Sequence, residues 1–89
     1  MLAIARFSIP LSEASDFRAQ LESVKEVLAQ APGFIDGSVG QNVDESTLWV
    51  LTTSWENIGS YRRALSSTRA KLEAIPVLAR AIDEAGAYE

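Results

Sequence analysis

Two short segments of the chain carry apolar residues on both faces of the β-strand that each would form. The first runs from Leu2 to Ile9 and stops at Pro10, and the second runs from Thr47 to Trp55. Successive side chains of a strand point to opposite sides, so a sheet with one solvated face alternates between apolar and polar residues. Both segments break that alternation. We therefore predict that helices cover one face of the sheet and that a second copy of the chain covers the other.

Between these segments, apolar residues recur every three or four positions and predict one long helix. Ser12 is expected to cap it, with Glu13 and Asp16 near the positive end of the helix dipole. Pro32-Gly33 ends the pattern. The apolar stripe consists of Phe17, Leu21, Val24, Leu28 and Ala31.

The segment from Ile35 to Val43 alternates between apolar and polar residues and predicts a second strand. Its two glycines, Gly37 and Gly40, favour a bulge or a close backbone approach. A polar turn at 44–46 joins it to the Thr47–Trp55 strand, so the two segments are predicted to form a hairpin.

The rest of the chain predicts short helices and a last strand. Asn57 is placed to cap a helix that carries Tyr61, Ser66-Ser67 interrupts it before a stretch with Leu72 and Ile75, and Pro76 starts a further turn. The residues at 87–89 predict a brief strand. The resulting order, β-α-β-β-α-β over one domain spanning 1–89, is typical of an α+β fold with helices on one face of an antiparallel sheet.

The composition excludes several classes of functional site. The 89 residues include no Cys and no His, which removes thiol nucleophiles, imidazole acid/base groups and the usual zinc and haem ligands. The basic residues are scattered and the net charge is -4, so nucleic-acid binding is not expected. The apolar run from Leu2 stops at Arg6, too short for a signal peptide or a membrane span, and predicts a cytoplasmic protein. Asp83-Glu84 alone is a weak metal signal, and we expect no metal.

Three stretches resemble the antibiotic biosynthesis monooxygenase family. They are the helix end Ala31-Pro32-Gly33-Phe34, the strand at 48–55 (LWVLTTSW) and the run at 55–65 (WENIGSYRRAL). The resemblance spans nearly the whole chain. It implies ferredoxin-like protomers that pair into a dimeric α+β barrel, each with a small cavity between sheet and helices. Members include cofactor-free oxygenases of aromatic polyketides, haem-degrading enzymes and proteins with no known reaction.

The haem-degrading branch carries a Trp at the end of the third strand and a His ligand ten residues later. Trp55 matches the first position, but Leu65 occupies the second. Axial ligation would fall to Tyr61 or Tyr88, and we expect no haem and no other cofactor.

The oxygenase branch implies a catalytic pair, Trp55 and Tyr61. Tyr61 would hydrogen-bond a substrate oxygen, Trp55 would stack on an aromatic ring, and Arg6 or Arg62 would stabilise a substrate anion. The family's oxygenases carry an Asn four residues before the Trp, where this chain has Leu51.

Trp49 and Asn42 join Arg6 and Arg62 as predicted substrate-binding residues. The structural alternatives are that both tryptophans suit a core, that Tyr61 suits packing on the apolar stripe of its helix, that Asn42 suits a turn, and that Arg62 suits a solvated helix face.

These observations predict a cofactor-independent monooxygenase of a small aromatic or polyketide-like metabolite. The alternative is a non-catalytic protein that binds a small ligand, or regulates, through the same cavity. An isomerase or cyclase would require a carboxylate in the cavity, and Glu56 or Asp36 would have to supply it.

Overall fold

A computed structural model describes all 89 residues. A single 3-10 turn at Leu11–Glu13 precedes the first helix. The strands are β1 (Leu2–Ser8), β2 (Phe34–Gln41), β3 (Leu48–Trp55) and β4 (Ala87–Tyr88), and the helices are α1 (Ala14–Ala29), α2 (Ile58–Ser66), α3 (Thr68–Glu73) and α4 (Ile75–Leu78).

The four strands form one antiparallel sheet in the order β2-β3-β1-β4. Phe7 of β1 and Gln41 of β2 both pair with Trp49, which sets the register of the three long strands. The predicted α+β fold and the predicted hairpin of β2 and β3 are confirmed.

The helices bury one face of this sheet. Phe17, Leu21, Val24 and Leu28 of α1 are buried, as the apolar stripe predicts. They pack against the buried side chains of β1 and β3, which alternate along each strand. Those side chains are Ala3, Phe7, Trp49, Leu51, Thr53 and Trp55.

The start of α1 differs from the prediction. Ser12 lies within the 3-10 turn, and α1 begins two residues later without a side-chain cap. The turn explains this, because Glu13 N–H already donates to Pro10 C=O at 2.9 Å. A backbone bond there replaces the expected hydroxyl cap.

Strand β2 is shorter than predicted and its irregularity lies elsewhere. The register shift falls between Phe34 and Asp36 rather than at a glycine. Gly37 does meet the expected close approach, since a Cβ there would lie 3.1 Å from the Phe34 and Lys25 side chains. Val43 is 96% exposed, because the strand has ended and the turn begun.

Helices α2 and α3 begin at the predicted breaks. Asn57 Oδ1 accepts from Ser60 N–H at 2.8 Å, and Ser67 Oγ caps α3 by accepting from Ala70 N–H at 3.1 Å. The helical stretch expected after Ser67 is confirmed, but Leu72 does not join the core. Leu72 is 73% exposed, and the buried residues are Ala70 and Ala74, because a short helix close to α1 has room only for methyl groups.

The other side of the sheet carries no helix. We call it the open face, and its apolar residues are Leu2, Ile4, Leu48, Val50 and Tyr88. Ile4, Leu48 and Val50 are half-buried, whereas Leu2 and Tyr88 are 39% and 53% exposed. The protomer alone therefore leaves this face partly uncovered. No helix in the protein has the length and apolar character that crossing a membrane requires.

Candidate functional site

The largest mainly apolar hollow, which we call the main cavity, lies between the β1–β4 edge of the sheet and helices α2 and α4. Its volume is about 310 Å³, and nine of its twelve lining residues are hydrophobic. The lining residues are Ile4, Ala5, Arg6, Tyr61, Leu65, Ile75, Leu78, Ala81, Ile82, Glu84, Gly86 and Ala87. Such a lining suits a compact apolar ligand with few polar groups.

A small cavity of about 20 Å³ adjoins the main cavity. The two share Ile4, Ala5, Tyr61 and Leu78, and the small one reaches inward to Thr53. A second, smaller space therefore adjoins Tyr61 toward the middle of the sheet.

Tyr61 is the only tyrosine that lines these cavities. The Asn57 cap fixes the start of α2 one turn earlier, and so directs Tyr61 toward the sheet. Its side chain is half-buried and its hydroxyl has no hydrogen-bond partner within the protein. Burial raises the pKa of the Tyr61 phenol above its usual value. The group is therefore a neutral hydroxyl near pH 7, free to bond a ligand oxygen.

Trp55 contacts Tyr61 from behind. Their ring centroids are 5.7 Å apart, and Phe34 packs edge-on to the indole at 5.2 Å. Trp55 is 1% exposed, and its Nε1 donates to Thr53 Oγ1 at 2.9 Å. The structure thus brings the predicted catalytic pair together, but only Tyr61 lines a cavity.

An ion pair closes one side of the main cavity. Arg6 Nε and Nη2 donate to the two Glu84 carboxylate oxygens at 2.6 and 2.9 Å. The hydrogen bond from Arg6 lowers the pKa of the Glu84 carboxyl, and the same bond raises the pKa of Arg6. Both charged groups therefore lie at the rim, where a polar end of a ligand would meet them.

The backbone fixes the segment that carries Glu84. Ile82 N–H donates to Arg6 C=O at 2.8 Å, and Ile4 N–H donates to Gly86 C=O at 2.7 Å. The C-terminal segment therefore forms a wall of the cavity along the edge of β1.

The remaining predicted substrate-binding residues lie away from Tyr61. Trp49 is buried at the other end of the sheet, 5.9 Å from the ring of Phe17. Asn42 Oδ1 accepts from two backbone amides of the β2–β3 turn at 2.9 and 2.8 Å. Arg62 is exposed and lines none of the cavities.

A separate hollow of about 140 Å³ groups Arg6, Asn42 and Trp49, together with Gly40 and Val50. Arg6, Val50 and Gly40 form one cross-strand row with open-face parity. The hollow therefore lies on the open face; it shares Arg6 with the main cavity but does not include Tyr61.

No carboxylate predicted for proton transfer lines the main cavity. Glu56 is exposed beside Gly33, and Asp36 accepts from the neighbouring Gly37 N–H. Glu84 is the cavity's only carboxylate, and the sequence marked it only as part of an acidic pair. No three His, Cys, Asp or Glu side chains lie close enough to hold a metal ion. Leu65, at the haem ligand's position, lines the cavity with an alkyl group that cannot ligate iron.

Known proteins share this architecture. SnoaB, a cofactor-independent oxygenase from Streptomyces nogalater, is 20% identical, with 99% of this chain and 92% of that one covered and a TM-score of 0.80. A conserved protein from Methanosarcina mazei Go1 is also 20% identical, with 94% and 82% of the chains covered and a TM-score of 0.77. At such identities the likeness establishes the fold alone. No curated protein matches the chain significantly.

The sequence itself gives a more direct assignment. The family model of the antibiotic biosynthesis monooxygenases matches residues 1–72, which run from β1 to the penultimate residue of α3 and include both Trp55 and Tyr61. The predicted resemblance is confirmed, and the chain belongs to the antibiotic biosynthesis monooxygenase family.

Proposed function

We propose that the protein binds a small, largely apolar aromatic metabolite in the main cavity and oxidises it with molecular oxygen, without a cofactor. The observation that carries this proposal is the unpartnered Tyr61 hydroxyl in a mainly apolar cavity. A volume of about 310 Å³ lies at the small end of ligand pockets, which favours a compact ring system over a long polyketide.

The substrate must supply the electrons. A phenol or enol in its anionic form transfers electrons to O₂, a carbon–oxygen bond forms, and the O–O bond then breaks. For an activated methylene the balance is R₂CH₂ + O₂ → R₂C=O + H₂O: carbon loses four electrons, O₂ gains them, and the two methylene protons leave in the water. The protein's part is to favour the anion and to exclude bulk water.

Tyr61 and Arg6 divide that part between them. The neutral Tyr61 phenol donates a hydrogen bond to the substrate oxyanion within the cavity, where a low dielectric strengthens it. Arg6 offers positive charge at the rim after exchanging Glu84 for the substrate oxygen. Leu51 cannot donate where the family's oxygenases have an amide, so Tyr61 bears more of the oxyanion stabilisation here.

Oxygen uptake tests the proposal. A panel of hydroquinones and anthrones is expected to give uptake above the buffer rate, and Tyr61→Phe should lower kcat at least about tenfold. Tyr88→Phe is the matched control, because Tyr88 lies on the open face outside every cavity. Equal rates for the Tyr61 variant and the unaltered protein would contradict the catalytic role.

A non-catalytic ligand-binding role is the second candidate. It is favoured by Leu51, which stands where the family's oxygenases have Asn, and by the burial of Trp55, which lines no cavity. Ala81→Leu places extra methyl groups in the main cavity and should weaken binding of the same aromatic compounds. Thermal stabilisation by a compound without any oxygen uptake, lost in Ala81→Leu, would support this candidate over the oxygenase.

We also propose that two protomers pair through their open faces. Leu2 and Tyr88 leave apolar surface exposed in one cross-strand row, and half-buried Val50 lies on the same face further along β3. Light scattering at micromolar concentration should give twice the protomer mass of 9.7 kDa, and Val50→Lys should reduce it to one protomer. A monomeric unaltered protein would contradict the pairing.

A further inference from the structure

A groove lined mainly by polar residues lies apart from the main cavity. It lies between the end of α1 and helices α2 and α3, encloses about 400 Å³, and shares no lining residue with the main cavity. We call it the outer groove. Its polar residues are Gln30, Ser60, Arg63, Ser67 and Arg69.

The charges in the outer groove are all positive. Arg63 and Arg69 line it and no carboxylate does, although the whole chain has a net charge of -4. Glu73, outside the lining, forms an ion pair with Arg69 at 2.7 Å, so the uncompensated positive charge that attracts anions to the groove is that of Arg63.

Most N–H donors of the Arg63 guanidinium have no partner within the protein. Its guanidinium takes part in no ion pair, and its one hydrogen bond within the protein is a 3.4 Å contact from Nη2 to Ser60 Oγ. A guanidinium presents five N–H donors in a planar fork that matches a carboxylate or phosphate. Most donors of Arg63 are thus available to a ligand.

Arg69 is held in place across the groove. Its Nε donates to Glu73 Oε2 at 2.7 Å and its Nη1 donates to Gln30 Oε1 at 2.5 Å. These bonds tie α3 to the end of α1 and leave Nη2 free. The guanidinium is oriented before any ligand arrives, which lowers the entropic cost of binding.

The groove wall near Arg63 is closely packed. Gly33, at φ +90°, lies against Ser60, so that a Cβ at position 33 would collide with the Ser60 side chain. Ser60 Oγ donates to Asn57 Oδ1 at 3.1 Å. The hydroxyl is therefore already committed, and the arginines are the groups left to meet a negative charge.

The floor of the groove is apolar. Val27, Ala31, Pro32 and Ala64 contribute methyl and ring groups beside the two guanidiniums. A ligand that satisfies both parts carries an oxyanion at one end and a short apolar body at the other.

We propose that the outer groove binds a small organic oxyanion, a phosphate monoester or a carboxylate on a short apolar body, through Arg63 and Arg69. This site is separate from the main cavity, and the proposal does not depend on any oxygenase activity.

Titration of the ¹⁵N-labelled protein tests it, with phenyl phosphate and benzoate as probes and benzyl alcohol as the neutral match. We expect saturable amide shifts at Ser60, Arg63 and Ser67 with at least one of the anions. Arg63→Gln should weaken that binding about tenfold, the effect of losing charge-assisted hydrogen bonds. Arg62→Gln makes the same charge change one residue away, outside the groove, and should weaken it less than twofold.

The source of the oxyanion follows from the two probes. Binding of phenyl phosphate alone identifies a phosphate monoester, binding of benzoate alone a carboxylate, and both support the site. Equal weakening by Arg62→Gln and Arg63→Gln would overturn the proposal, as would shifts confined to main-cavity residues or equal binding of benzyl alcohol. Both variants alter exposed side chains, so their folds should persist.

Discussion

Trp49 and Trp55 lie on the same strand, point to the same side of the sheet and are both almost fully buried, yet their surroundings differ. Trp55 Nε1 is bonded to Thr53, and its ring supports Tyr61 at the edge of the main cavity. Trp49 Nε1 has no partner, and its ring fills the space between Phe17 and the Arg18 guanidinium.

The two tryptophans therefore have different roles: Trp55 supports Tyr61, and Trp49 packs with the neighbouring aromatic rings. At the Trp55 end, a satisfied polar group fixes the ring that positions Tyr61, and space remains beyond it. At the Trp49 end, aromatic packing continues from Phe17 to Phe7 at 5.1 Å between ring centroids. The end of the sheet near Trp55 thus positions Tyr61 beside the main cavity, whereas the end near Trp49 packs aromatic rings against one another.

Paired Trp→Phe substitutions give the largest expected effect. Trp55→Phe leaves Thr53 Oγ1 without its donor, whereas Trp49→Phe removes an N–H that was already unpaired. We expect Trp55→Phe to lower the free energy of unfolding by about 1–3 kcal/mol more than Trp49→Phe. Urea unfolding followed by far-UV circular dichroism measures both. Equal losses would show that the Thr53 bond contributes nothing.

Arg18→Gln tests the other end of the sheet. The guanidinium carbon lies 4.8 Å from the Trp49 ring centroid, and an exposed contact of this kind contributes about 0.5–1 kcal/mol. Arg18→Gln should therefore lower the free energy of unfolding by about that amount, measured by urea unfolding. Arg62→Gln, which removes the same charge from a side chain that makes no cation–π contact, is the control. A similar stability for both variants would show that the contact between Arg18 and Trp49 contributes nothing to stability.

Tyr61→Phe should have the smallest effect on the free energy of unfolding at neutral pH, because the Tyr61 hydroxyl has no hydrogen-bond partner within the protein to lose. Burial raises the folded-state pKa of Tyr61 above the value of about 10 expected in the unfolded chain. The associated stability is therefore present below about pH 10 and is lost as pH rises through the folded-state pKa. The Tm of the unaltered protein should fall more steeply between pH 9 and 11 than that of Tyr61→Phe. Parallel curves would show that burial leaves the phenol unperturbed.

The strands and α1 were predictable because their patterns are long. The stripe from Phe17 to Leu28 fixes α1, and the resemblance placed Tyr61 near a cavity. The two tryptophans could not be distinguished, since their identical parity says nothing about whether Thr53 or Arg18 is the neighbour.

Residues far apart in the sequence were harder to predict. Glu84 meets Arg6 across 78 positions, and no local pattern records that contact. The exposure of Leu72 had a similar cause, since packing of α3 through Ala70 and Ala74 depends on how close α1 lies rather than on the spacing within α3.

Seven of the twelve residues around the main cavity lie beyond position 72, where the family model ends. That tail contributes only the two residues of β4 to the sheet. Its cavity-lining side chains can therefore differ without changing the backbone pairing of β1, β2 and β3. Within this architecture, substitutions in one terminal stretch reshape more than half of the cavity lining, whereas Arg6 and Tyr61 stay on the elements that form the frame.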